Sequence, residues 1–357
     1  MQTKPTYLIL ENGMVFCGKS FGYEAEVTGE TVFTTAMTGY MSTLTDSGYK
    51  GQLVVQTFPL IGNYGVVSHE CESKGTSVCA YIVRELCQEP SNFRCEGALD
   101  VFLKENKIVG ISGIDTRQLT RVLRDHGSMR AKITYELPAD TADTVKELKA
   151  YTAPDALSDV SCKEITASAP ENASKKVVLW DFGAADCIKT ALMARGCEVI
   201  TVPADTKADT ILGYAPDGVV LSNGPTDPAV HTDIIAEIAK IADKKVPMLG
   251  ICLGHLMLAL SQGAKSVKLP HGHRGGMPSI RLSDKRVFIT SQNQGYTLDA
   301  ASLPESVKPT YKNGNDGTLE GVSYTDIPAL GVLFRPGTVG GPNKTDFIYD
   351  EFIALMK

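Results

Sequence analysis

The sequence predicts an α/β protein of two domains, in which the second domain is built on a mostly parallel sheet flanked by helices. The length of 357 residues exceeds what a typical single domain holds. Beyond residue 175, apolar strand-like runs alternate with segments of helical periodicity, and one such run, at 246–251, ends at a cysteine between glycines. Regular strand–helix alternation is typical of a parallel sheet with crossover helices.

The composition excludes several classes of protein. Hydrophobic residues make up 43% and charged residues 21%, as in a globular domain. A net charge of −6 argues against a nucleic-acid partner, which needs a basic face. No apolar run is long enough to span a membrane, and the first residues lack a signal-peptide pattern, so we expect a cytoplasmic protein with no membrane partner.

The nine cysteines follow no paired spacing, which indicates reduced thiols. Four of them recur at intervals of eight residues, at Cys71, Cys79, Cys87 and Cys95. Zinc sites usually contain a close Cys-x-x-Cys pair, and none is present. We therefore expect no metal, and nothing in the sequence indicates another cofactor.

Residues 1–150 are predicted to form a mixed α/β domain. A hairpin is expected over 6–18, with its turn at Asn12-Gly13. A strand that ends in a polar, glycine-marked loop is predicted over 29–40. Further strands are predicted at 53–59 and 78–84, and helices at 98–105 and 115–126. Asp115 supplies a capping group for the second helix. Residues 151–174, rich in Ala, Ser, Thr and Pro, are predicted as a linker.

Residues 175–357 carry the regular alternation. Strands are predicted at 177–180, 198–202, 218–221 and 246–251, and helices at 187–195, 206–214 and 228–243. Hairpin-like strands are expected at 287–290 and 329–334, before a final helix from about residue 346. Function in such sheets lies beyond the carboxyl ends of the strands. Two loops at these strand ends are candidates for a functional site, namely residues 222–228 and the turn that contains Cys252.

The turn Gly250-Ile251-Cys252-Leu253-Gly254 passes directly from strand into helix. Glycines are needed on both sides because the backbone of such a turn is crowded and strained. The turn raises the Cys252 side chain above the sheet edge at the helix N-terminus, where N–H groups and the helix dipole favour a thiolate. The sequence therefore predicts a nucleophile. The alternative interpretation is a small buried hydrophobic residue.

This turn resembles the signature of the class I glutamine amidotransferase family, which residues 175–357 resemble as a whole. The entire chain is similar to the small-subunit family of carbamoyl-phosphate synthetases. The supporting motifs are MTGY at 37–40, LTD at 44–46, IGNYG at 61–65, IDTRQLT at 114–120, WDFGA at 180–184, LSNGP at 221–225, GHRGG at 272–276 and QNQG at 292–295.

The resemblance implies a chemistry and a partner. In that family the small subunit hydrolyses glutamine, and ammonia passes to a large ATP-using subunit that makes carbamoyl phosphate for pyrimidine or arginine biosynthesis. A cysteine attacks the amide, a histidine moves the proton, and a glutamate orients the histidine. Carried over, Cys252 is the nucleophile, and the backbone N–H groups of Leu253 and Gly224 form the oxyanion hole.

The proton-transfer residues of the family are replaced in this chain. Where the family has His-Pro-Glu, the sequence reads Arg335-Pro336-Gly337. Arginine stays protonated, so it cannot accept the thiol proton, although its charge would favour a thiolate. No histidine follows residue 273. We expect His255 and His273 to make structural hydrogen bonds.

The glutamine pocket implied by the resemblance has also changed. Thr226 replaces a glycine at a point where backbone approaches substrate or where φ is positive. Leu256 replaces a glutamine that contacts substrate, and Gly48 replaces a serine that the N-terminal domain contributes. The positions close to the family pattern are Asn293, Gly295 and Tyr296. Each lost polar partner removes roughly 1–3 kcal/mol, so we predict that ordinary glutamine hydrolysis is lost.

Four functions stay open. The first is a small-subunit-like partner of a large ATP-using carbamoyl-phosphate synthetase-type subunit, without glutamine hydrolysis. The second is a repurposed Cys252 enzyme for another small-molecule amide or ester, with Arg335 binding a carboxylate or phosphate. The third is a working glutaminase whose base comes from elsewhere, including a partner chain. The fourth is a retained fold without activity.

Overall fold

The computed structural model describes residues 4–73, 75–337 and 345–356. The chain divides into two compact units, the first comprising Met1–Pro154 with Pro270–Arg274, and the second Asp155–Leu269 with Gly275–Lys357. Within the described ranges, no helix combines the length and apolar character needed to cross a membrane.

The first unit is a mixed α/β domain built around a barrel. Its strands are β1 (Pro5–Leu10), β2 (Val15–Gly22), β3 (Val27–Thr34), β4 (Gln52–Gln56), β5 (Leu60–Ile61), β6 (Ala80–Ile82), β7 (Glu85–Leu86), β8 (Val109–Ser112) and β9 (Met129–Thr134). Its helices are α1 (Tyr40–Thr45), α2 (Leu99–Glu105), α3 (Thr116–His126) and α4 (Ala142–Ala150). Seven strands close into a barrel in the order β1-β2-β8-β6-β4-β3-β9.

The predicted hairpin and helix cap are both present in this unit. Strands β1 and β2 pair antiparallel, and the Asn12 side chain accepts a hydrogen bond from Met14 N at 3.0 Å in the turn between them. The side chain of Asp115 accepts a bond from Gln118 N at 2.9 Å, which caps α3. Closure of the barrel was not predicted, because it depends on β9 pairing with the distant strands β1 and β3.

The second unit carries the regular alternation of strands and helices. Its strands are β10 (Thr166–Ser168), β11 (Lys175–Asp181), β12 (Cys197–Pro203), β13 (Gly218–Leu221), β14 (Met248–Ile251), β15 (Ser266–Arg281), β16 (Val287–Leu298), β17 (Val307–Asn313), β18 (Leu319–Tyr324) and β19 (Ala329–Val332). Its helices are α5 (Leu157–Val160), α6 (Asp186–Met193), α7 (Ala208–Gly213), α8 (Thr232–Asp243), α9 (Leu253–Ser261) and α10 (Phe347–Leu355).

The strands of this unit form a ten-stranded sheet in the order β10-β12-β11-β13-β14-β19-β18-β17-β15-β16. Strands β12, β11, β13, β14 and β19 are mutually parallel. The expectation of a hairpin-like strand at 329–334 was incomplete, because β19 pairs parallel with β14 as well as antiparallel with β18. Part of the stretch predicted as a linker forms α5 and β10, and β10 pairs with β12.

Helices cover both faces of the parallel strands. Successive residues of β11 alternate between two apolar clusters, with Val178 and Trp180 in one and Val177 and Leu179 in the other. All four side chains are buried, as expected for a parallel strand covered on both faces. Because both faces are filled, the carboxyl edge of the sheet is where polar groups can gather.

Candidate active site

Cys252 occupies a strained turn between β14 and α9. Its φ and ψ are 51° and −108°, outside the regions that residues other than glycine favour. The side chain is 5% exposed, and the thiol donates a 3.5 Å hydrogen bond to the carbonyl of Asn293 on β16. A strained backbone at a cysteine that ends a strand and begins a helix is the geometry of a nucleophile elbow.

The glycines beside Cys252 are required by close backbone contacts. A Cβ built on Gly254 would lie 2.3 Å from the carbonyl oxygen of Leu221 on β13. A Cβ on Gly250 would lie 2.6 Å from the Cα of His255. The first turn of α9 therefore packs directly against the neighbouring strand, which only glycine at these positions allows.

The loop that follows β13, residues 222–226, is hereafter the Gly224 loop. Gly224 lies against the start of α9, because a Cβ built on it would be 2.9 Å from Leu253 Cδ2. The Cβ built on Gly224 would also lie 2.2 Å from the carbonyl oxygen of Phe182, so this position requires glycine. The two residues predicted to form the oxyanion hole are thus neighbours in the structure.

Hydrogen bonds brace the Gly224 loop against the loop that follows β11. The Asn223 side chain accepts from Ala185 N and donates to the carbonyl of Gly183, each at 3.0 Å. The Ser222 hydroxyl accepts from Phe182 N at 2.8 Å and donates to the Asn223 carbonyl at 2.9 Å. A buried, mutually satisfied network of this kind holds a backbone in one conformation.

Thr226 has a φ of +82°, and among the described residues it is the one β-branched residue with a positive φ. Such a conformation costs roughly 1–2 kcal/mol for a side chain with a Cβ. Its hydroxyl lies 2.7 Å from Nε2 of His231, which is 8% exposed. Burial lowers the pKa of His231 below its ordinary value of 6.5 despite nearby carboxylates. The sequence does not predict this pair, since nothing in the spacing of the two residues indicates it.

Arg335 and Gly337 lie just beyond β19, which is the parallel neighbour of β14. Arg335 is 6% exposed, and its backbone N–H donates to the carbonyl of Ser291 at 2.9 Å. Gly337 has a φ of +71°. Between them, the carbonyl of Pro336 accepts a bond from the Tyr349 hydroxyl at 3.2 Å. A buried cation therefore follows the strand beside the elbow.

His255 does not make the structural hydrogen bonds expected from the sequence. It is fully buried on α9, and among the described residues neither of its ring nitrogens has a hydrogen-bond partner. A Cβ built on Gly331 of β19 would lie 2.3 Å from His255 Nδ1, so the ring fills the space beside that glycine. Burial lowers its pKa to about 3, which removes its capacity to act as a base at neutral pH. His273 lies in the first unit and is 6% exposed.

The other predicted pocket residues are distributed between the two units. Asn293, Gly295 and Tyr296 lie on β16. Leu256 lies on α9, where it is 3% exposed and packs into an apolar cluster. Gly48 lies in the first unit, and its N–H donates to the Asp46 side chain at 2.9 Å. Within the described ranges, no group of three or more metal-ligating side chains is found, and no disulfide joins any of the nine cysteines.

The parallel sheet, the elbow at Cys252 and the braced Gly224 loop define a class I glutamine amidotransferase domain. The family model "Glutamine amidotransferase class-I" matches residues 178–355, and "Carbamoyl-phosphate synthase small chain, CPSase domain" matches residues 8–133. The chain belongs to the carbamoyl-phosphate synthase small chain family.

Two similar proteins match nearly the whole chain, and a solved structure matches part of it. The carbamoyl phosphate synthase small chain of Clostridium perfringens is 47% identical over 97% of this chain and 98% of its own length. The pyrimidine-specific small chain of Halalkalibacterium halodurans is 44% identical over 98% of this chain and 96% of its own. A solved structure of a glutamine amidotransferase from Thermotoga maritima is 20% identical, covers 45% of this chain and 75% of its own, and has a TM-score of 0.37.

Proposed function

We propose that this chain acts in the cytoplasm as the small-subunit partner of a large ATP-using synthetase subunit, and that it no longer hydrolyses glutamine in the ordinary way. The observation that carries the proposal is Arg335, a buried guanidinium three residues beyond β19, where the family resemblance puts the catalytic histidine. A cysteine amidase needs a group that takes up the thiol proton and returns it to the leaving amine. A guanidinium stays protonated and does neither.

The position of Gly337 supports the same proposal. A glutamate at this position would have to adopt the left-handed conformation that Gly337 now has, which is unfavourable for a residue with a Cβ. The backbone after Arg335 is therefore shaped for glycine and not for an orienting carboxylate. Loss of both the histidine base and the glutamate that orients it removes the whole proton relay.

The experiment that tests the proposal compares two nitrogen sources for one complex. We expect the chain to co-purify with the large subunit encoded in the same organism, and the complex to make carbamoyl phosphate from ammonium chloride but not from glutamine. A matched complex containing Cys252→Ser sets the glutamine-independent rate. Failure of the two chains to associate would contradict the proposed partnership. Synthesis from glutamine that Cys252→Ser abolishes would instead indicate a working glutaminase with its base supplied from elsewhere.

A second candidate function is favoured by the intact nucleophile elbow. Cys252 keeps its strained backbone, and the Gly224 loop keeps its hydrogen bonds, so a nucleophile and an oxyanion hole would remain without a proton relay. The leaving group of an activated ester departs without a proton donor, whereas the amine of an amide must be protonated before it departs. Arg335 would bind a carboxylate on such a substrate through its planar guanidinium. Covalent labelling of Cys252 by a panel of carboxylate-bearing esters, with Cys252→Ser as the control, tests this candidate.

A further inference from the structure

We infer that His231 is a positioning residue, which through Thr226 holds the Gly224 loop in the conformation that directs the Gly224 amide toward the Cys252 elbow. The inference rests on the proposed oxyanion role of Gly224. It is independent of whether glutamine is hydrolysed, because it concerns the stability of a transition-state contact and not the proton relay.

The starting point is the unfavourable backbone of Thr226. A β-branched residue at a φ of +82° is a genuine outlier, whereas glycine adopts this conformation freely. Something outside the residue must stabilise it. The 2.7 Å contact between the Thr226 hydroxyl and His231 Nε2 is such an interaction, and it is partly shielded from water because His231 is 8% exposed.

His231 is itself anchored firmly enough to act as a support. It precedes the first residue of α8, and its carbonyl accepts a hydrogen bond from Ile235 N at 3.0 Å. The turn before it is closed by the Asp227 side chain, which accepts from Ala229 N at 2.9 Å. The ring is therefore attached to a helix that packs against the core, and Thr226 is tied to that helix.

A single residue with a restricted backbone separates Gly224 from Thr226, which is hydrogen-bonded to His231. Pro225 lies between them, and its ring fixes its own φ at roughly −65°. A change in the backbone of Thr226 is therefore transmitted to Gly224 and not absorbed between them. Gly224 in turn lies against Leu253, the residue after the nucleophile.

His231 also lines a cavity of about 460 Å³ beyond the carboxyl ends of β11 and β12, whose walls include Trp180 and Ala204. Removal of the imidazole would enlarge this cavity and leave space for a free imidazole molecule to enter. Chemical rescue is therefore a practical test of what the ring does.

The test compares the rates of two reactions of Cys252. Both rates are measured by mass spectrometry of the peptide that contains Cys252. Acylation by p-nitrophenyl acetate passes through a tetrahedral oxyanion, whereas alkylation by iodoacetamide does not. For His231→Ala we expect acylation to slow by roughly tenfold with alkylation unchanged, since a partly buried hydrogen bond is lost from the loop that supplies the proposed oxyanion-hole amide, and alkylation forms no oxyanion. Added imidazole should raise the acylation rate of His231→Ala by a larger factor than that of the unmodified protein, a comparison that corrects for the reaction of imidazole itself with p-nitrophenyl acetate. His231→Gln, which retains a polar atom at the same reach, should lose less.

Thr226 variants complete a double-mutant cycle. Thr226→Val removes the hydroxyl but keeps the shape, so it should show the same selective loss as His231→Ala, and it also serves if His231→Ala fails to fold. In a Thr226→Gly background, substitution of His231 should have no effect, because glycine needs no support at this φ. Equal slowing of both reactions, an unchanged acylation rate in Thr226→Val, or full sensitivity to His231 in the Thr226→Gly background would each overturn the inference. Ammonia release from glutamine, which bears on the proposed function, is measured separately and decides none of these outcomes.

Discussion

The backbone N–H of Cys252 donates to the carbonyl of Val332 at 2.8 Å, so the nucleophile elbow is bonded directly to the strand that leads to Arg335. The pairing of β14 with β19 continues to this point, with Ile251 opposite Val332. Arg335 and Gly337, the positions at which we propose that the proton relay is replaced, therefore follow a strand that main-chain hydrogen bonds fix to the nucleophile elbow.

We predict that the charge of Arg335 favours the thiolate of Cys252. Arg335→Gln should slow alkylation of Cys252 by iodoacetamide near neutral pH by about tenfold, equivalent to about 1.4 kcal/mol, whereas Arg335→Lys should retain most of the rate. Site-resolved mass spectrometry gives the rate, with the exposed Cys17 as an internal reference that should not change. Equal Cys252 rates in the Gln and Lys variants would show that the charge has no such effect.

The close approach of α9 to β13 makes Gly254 sensitive to the smallest substitution. Gly254→Ala would put a Cβ 2.3 Å from a main-chain oxygen, and we expect a loss of about 1–3 kcal/mol in the free energy of unfolding. Gly213→Ala is the matched control, since a Cβ there meets nothing within 4 Å, and it should be neutral or slightly stabilising. Urea unfolding measures both variants, and a neutral Gly254→Ala would refute the packing described.

The left-handed backbone at Gly337 predicts a graded response to substitution. Gly337→Ala should lower the free energy of unfolding by roughly 1–2 kcal/mol, because its φ is +71°. Gly337→Asn should lower it by less, since asparagine tolerates this conformation better than other residues with a Cβ. Thermal unfolding of the two variants side by side tests the order, and an alanine variant as stable as the asparagine variant would contradict it.

Because His255 is buried with a lowered pKa, we predict that the free energy of unfolding falls on acidification. Its pKa is about 3 in the folded chain, against an ordinary value of 6.5, so as pH falls the unfolded chain takes up the proton first. The folded state therefore loses up to about 1.4 kcal/mol per pH unit below roughly pH 6.5 from this group. Urea unfolding at about pH 7 and about pH 5 should show a smaller difference for His255→Leu than for the unmodified protein. The same difference in both proteins would contradict the assignment.

The sequence was sufficient to predict the second fold unit in outline, because its strands are apolar runs and its helices have regular apolar periods. The elbow was predicted as well, since glycines on both sides of Cys252 leave few other structures for that backbone. The parallel pairing of β19 with β14 was not predicted, because register between strands some eighty residues apart depends on tertiary packing.

The barrel of the first unit and the polar contacts of the site were not predicted, for related reasons. Barrel closure depends on β9 joining β1 and β3, which no local pattern encodes. The bond between Thr226 and His231 depends on a turn that brings the two side chains together. His255 was expected to make hydrogen bonds, whereas the structure buries it beside Gly331, where no partner is found among the described residues.

The most direct test of the account is ammonia release from glutamine by the unmodified chain in complex with its large subunit, measured against the Cys252→Ser complex. We predict that the two rates are indistinguishable, since a protonated guanidinium in place of the base cannot complete the reaction. Release by the unmodified complex well above the Cys252→Ser rate would contradict it.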